Sequence, residues 1–60
     1  MINQLVTIRF EGPMGQSILV HWYHVPRVGD WIELVENDAY INGRVTDVYW
    51  GSEQVLVRVK

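Results

Sequence analysis

Sixty residues make at most one small domain, and a domain of that size buries only about 60% of the surface its unfolded chain exposes, so each large apolar side chain is needed first for the core. The absence of cysteine excludes a disulfide framework, a thiolate nucleophile and a sulfur-ligated zinc site, and makes the cytoplasm the expected compartment. Five basic against seven acidic side chains leave a formal charge of −2, without the cationic excess that draws a phosphate backbone to a surface, so nucleic acid is disfavoured as a partner.

No run approaches the roughly 20 apolar residues of a membrane span, and MINQLVTIRF lacks the basic start and unbroken apolar core of a signal peptide. Alternation of apolar and polar residues, rich in β-branched and aromatic types, predicts strands almost throughout and leaves no place for a helix. The first strand is expected over Ile2 to Phe10, with Val6, Ile8 and Phe10 inward and Thr7 and Arg9 outward. Gly12, Pro13 and Gly15 in EGPMGQ then turn the chain. SILVHWYHV, residues 17–25, is the second strand, with Ile18, Val20 and Trp22 on one face and Leu19, His21 and Tyr23 on the other.

In VPRVGD, Pro26 removes a backbone donor and holds Val25 extended, while Gly29-Asp30 favours a tight turn, so the segment is a corner. A third strand, Trp31 to Val35, places Ile32 and Leu34 opposite Trp31, Glu33 and Val35. ENDAY is a hairpin turn. The fourth strand, Tyr40 to Trp50, carries Ile41, Gly43 and Val45 in one phase and Val48 and Trp50 in the other, which predicts a bulge near Thr46-Asp47. After a turn at GSE, QVLVRVK alternates with Val55, Val57 and Val59 inward. Five short strands with tight turns predict an all-β fold, a single five-stranded barrel over residues 1–60, SH3-like first and OB-like as the alternative.

Residues 25–59, with VPRVGDWIEL, YINGRVTDVYW and VLVRV, resemble small bacterial and phage SH3-like β-barrel proteins in which a Pro-Arg-x-Gly-Asp corner opens the middle strand. VPRVGDWIELVENDAYINGRV is also similar, more weakly, to the OB-fold segment of tailed-phage and type VI secretion spike proteins. These resemblances imply a β-barrel and a phage or mobile-element setting.

Catalytic and metal chemistry find little support. His21 and His24, three apart in a strand, project to opposite faces and cannot share a metal. Ser17 and Ser52 lack a nucleophile elbow, and Glu33, Glu36, Asp38, Asp47 and Glu53 fall at turns and solvent faces. ENDAYINGR lacks the ligand spacing of an EF-hand loop. No enzyme, metal or cofactor is therefore expected. The aromatic residues divide by parity: Trp22 and Trp50 go with the core, while Tyr23, Trp31 and Tyr49 share the face of His21, Glu33 and Asp47.

Exposed tyrosine and tryptophan beside arginine are characteristic of protein interfaces. The expected function is a non-enzymatic protein-binding module, a phage or mobile-element accessory protein that binds a host protein or a second copy of itself through His21, Tyr23, Trp31, Arg44 and Tyr49. Homodimer formation is expected through an unpaired edge of the valine-rich last strand. One alternative is a single-stranded nucleic-acid-binding barrel stacking bases on Tyr23, Trp31 and Tyr49 with Arg27 and Arg44 on phosphates, although the cations are scattered along the chain. The other is a structural subunit of a phage particle.

Overall fold

The alternating segments become five strands: β1 (Val6–Glu11), β2 (Ser17–Trp22), β3 (Trp31–Glu36), β4 (Ala39–Trp50) and β5 (Val55–Val59). The structure, a computed structural model, describes residues 4–60. The expected start of the first strand at Ile2 lies outside the described residues, and Gln4 and Leu5 precede the strand rather than belong to it. The second strand ends at Trp22, not Val25, because the chain bends at Tyr23 and His24 to enter the corner.

The strands form one sheet in the order β2-β1-β5-β4-β3, curled into a nearly closed barrel of the small SH3-like or OB-like kind. Hairpins β1–β2, β3–β4 and β4–β5 are antiparallel and β1 runs parallel to β5. An odd number of strands cannot alternate direction all the way round a ring, and the parallel β1–β5 pair absorbs that mismatch. The last strand therefore lies in the middle of the sheet, paired on both sides, and the expected free edge on it does not exist. The free edges are β2 and β3, which face each other across a seam.

At the corner, the Gly29 N–H donates to the Val45 carbonyl at 2.8 Å and the Val45 N–H to the Asp30 carbonyl at 2.8 Å, which carries the β3–β4 ladder one step back into the turn. Across the seam, Gln16 Nε2, just ahead of β2, donates to the Tyr40 carbonyl of β4 at 2.8 Å. The bulge falls where the change of phase predicts it, with the β4–β5 register shifting between Val45 and Asp47.

Inside sit Ile8, Phe10, Ile18, Ile32, Ile41, Val45, Val55, Val57 and Val59, with Val6, Val20, Trp22, Leu34 and Val48 partly buried around them. The inward faces expected of all five strands are thus the observed ones, but one of the two tryptophans assigned to the core needs correction. Trp22 packs on the core at its margin, partly buried, its ring tilted 56° against Phe10 with centroids 5.2 Å apart. Trp50 is 70% exposed. β3 pairs with β4 only as far as Arg44, so beyond the bulge no strand flanks β4 on that side to cover Trp50.

Candidate functional site

The corner is built from local chemistry. The Asp30 N–H donates to the Arg27 carbonyl at 3.0 Å, closing a four-residue turn whose third residue, Gly29, has φ +99°, where a side chain would be strained. Asp30 Oδ2 accepts from the Arg27 N–H at 2.9 Å and braces the same turn. Pro26 is buried, and with no N–H it leaves no donor to satisfy there. These constraints carry the chain from β2 to β3 and leave a groove of about 440 Å³ between the two strand ends, lined by Trp22, His24, Val25, Pro26, Arg27, Asp30, Trp31 and Ile32. Two indoles, a guanidinium, an imidazole and a carboxylate meet in it, so it offers flat apolar contact together with donors and an acceptor.

All five residues expected at the interface are exposed, with Tyr23 at 66%, Trp31 at 63% and Tyr49 at 50%. They do not make one patch. Trp31 and Arg44 are direct cross-strand neighbours on β3 and β4. His21 sits across from Thr7 on β1, its Nδ1 3.2 Å from the Thr7 hydroxyl, and Tyr23 follows the end of β2. β2 pairs with β1 alone, so these two belong to the far side of the seam from Arg44. Tyr49, five residues beyond Arg44, stands roughly 16 Å further along the strand, with the Arg58 guanidinium 5.9 Å from its ring centre.

Sequence reasoning missed Trp22, His24 and Asp30 as groove residues. Trp22 has inward parity but lies at the end of its strand, and a strand end beside a Pro-Gly corner is the signal that could have marked it as a rim residue.

The outer face of β1, β5 and β4 carries a second grouping. The register places Arg9 beside Leu56 and Leu56 beside Tyr49, then Glu11 beside Arg58 and Arg58 beside Asp47; Lys60 pairs through its backbone with Arg44. Cations scattered in sequence are therefore gathered in space: four of the chain's five lie on this face, with two of its seven carboxylates. Glu11 approaches Arg58 at 3.8 Å, and Arg9 Nη1 donates to the Ser17 hydroxyl at 3.0 Å.

Among the described residues no three histidine or carboxylate side chains converge as a metal site requires, and no helix is long and apolar enough to cross a membrane. Comparison with protein-family models, with curated proteins and with solved structures gives no match.

Proposed function

We propose that the chain is a non-enzymatic, cytoplasmic protein-binding module, a phage or mobile-element accessory protein whose contact surface is the corner groove with Trp31 and Arg44 at its edge. The observation that carries this reading is Trp31 itself, a large indole left 63% exposed in an open groove that also holds Trp22, a guanidinium and a carboxylate. Aromatic anchors next to arginine supply most of the binding energy in protein interfaces, each costing on the order of 2 kcal/mol or more when truncated. Affinity capture with the intact protein and with Trp31→Ala and Tyr49→Ala variants tests it. The expected result is a partner retained by wild type and Tyr49→Ala and lost by Trp31→Ala; a partner indifferent to Trp31 removes the groove from consideration.

The cation grouping favours a second reading, single-stranded nucleic acid laid along the outer face, with Tyr49 as a stacking platform and Arg9, Arg44, Arg58 and Lys60 on phosphates. Its signature is binding of a labelled single-stranded oligonucleotide that weakens on Tyr49→Ala and falls steeply in affinity as salt rises. A salt-independent or absent response removes it.

A further inference from the structure

The outer face of the β3–β4 hairpin has six outward positions in three cross-strand rows: Trp31 with Arg44, Glu33 with Asn42, and Val35 with Tyr40. Three are large apolar or aromatic side chains, with Val35 71% and Tyr40 46% exposed beside Trp31. From this face we propose that the protein forms an isologous homodimer by packing the outer face of β3–β4 on the same face of a second copy, about a two-fold axis lying parallel to the strands between β3 and β4.

The charges select that axis. With the axis along the strands, each residue meets the cross-strand partner of its equivalent: Trp31 faces Arg44 of the second copy, Glu33 faces Asn42 and Val35 faces Tyr40. These are a cation on an indole, a carboxylate accepting from an amide, and an apolar contact. A two-fold in the same plane but across the strands would instead set Glu33 on Glu33, two like charges brought together in a closing interface. The Tyr40 hydroxyl already donates to Glu33 at 2.9 Å, which fixes two of the six side chains before association.

The partner here is a second copy, so this deepens the protein-binding reading and carries it from the groove edge, where the two surfaces share Trp31 and Arg44, along the β3–β4 hairpin to Val35 and Tyr40. Sedimentation equilibrium from micromolar to millimolar protein should show a reversible dimer. Val35→Asp, on an exposed edge-strand position, should keep the sheet spectrum and weaken dimerisation by roughly tenfold or more. The chain has no native cysteine, so Val35→Cys and Tyr40→Cys variants report geometry directly. Mixed together they should be joined by a short thiol cross-linker, whereas Val35→Cys mixed with Trp31→Cys should not. A strict monomer at every concentration overturns the proposal, as does a dimer indifferent to Val35→Asp or one cross-linked through 35 and 31. A foreign partner lost on Trp31→Ala but kept by Val35→Asp would leave the groove reading standing even if the dimer fails.

Discussion

At the scale of single residues, two glycines and one tyrosine carry constraints that no other side chain meets. Gly29 holds φ +99° at the corner, and Gly29→Ala should cost about 1 to 2 kcal/mol in denaturant unfolding. Gly43 has an ordinary φ but no room: an added Cβ would run into the Lys60 backbone carbonyl and meet Val59 Cγ1 at 3.0 Å. Gly43→Ala should therefore cost about 1 to 3 kcal/mol by overpacking, although nothing in its φ marks the site. The Tyr40 phenol is held above its ordinary pKa, chiefly because its hydroxyl donates to the Glu33 carboxylate, with desolvation and the nearby negative charge adding to the effect and Asn42 opposing it. A folded phenol harder to ionise than the unfolded one contributes stability that is fully present below the ordinary phenol pKa of about 10 and is lost as pH rises through the folded value. Ultraviolet titration should show a high phenol transition that disappears in Tyr40→Phe and moves down in Glu33→Gln.

At the scale of elements, β4 does the organising. Its first half pairs with β3, its second half with β5, and the bulge between Val45 and Asp47 lets the inward face change phase as the strand passes from one partner to the other. The alternation in YINGRVTDVYW already contains that phase change, which made the bulge legible. Where the same reasoning failed, at Trp50, parity was right and neighbours were wanting: a side chain can point inward and remain in water when no adjacent strand covers it. The seam is held more lightly than the ladders. Gln16 accepts from the Met14 N–H at 2.7 Å while donating to the Tyr40 carbonyl, so one side chain both shapes the first turn and ties it to β4. Gln16→Ala should cost about 1 kcal/mol and speed hydrogen exchange at the Met14 amide, leaving the β4–β5 amides protected.

At the scale of the molecule, one core serves five strands, and Phe10 is fully buried at its centre on β1, between β2 and β5. Phe10→Ala should cost about 3 to 5 kcal/mol, with fluorescence and circular dichroism melting together; Trp22→Ala, truncating a half-buried ring, should cost less, about 2 kcal/mol. The sequence by itself determined the all-β class, the five strands with inward Ile18, Ile32, Ile41 and the three valines of β5, the corner and the bulge. These depend on period-two alternation and on the backbone limits of proline and glycine, both of which are local. Only the tertiary structure decided which strands are neighbours. It moved the valine-rich β5 from a supposed edge to the middle of the sheet, left β2 and β3 as the edges, and separated His21 and Tyr23 from Arg44 while bringing Trp22 and Trp31 to one groove. Strand order depends on pairings between segments distant in the chain, and parity is silent about them: it says which way a side chain points and never what stands beside it.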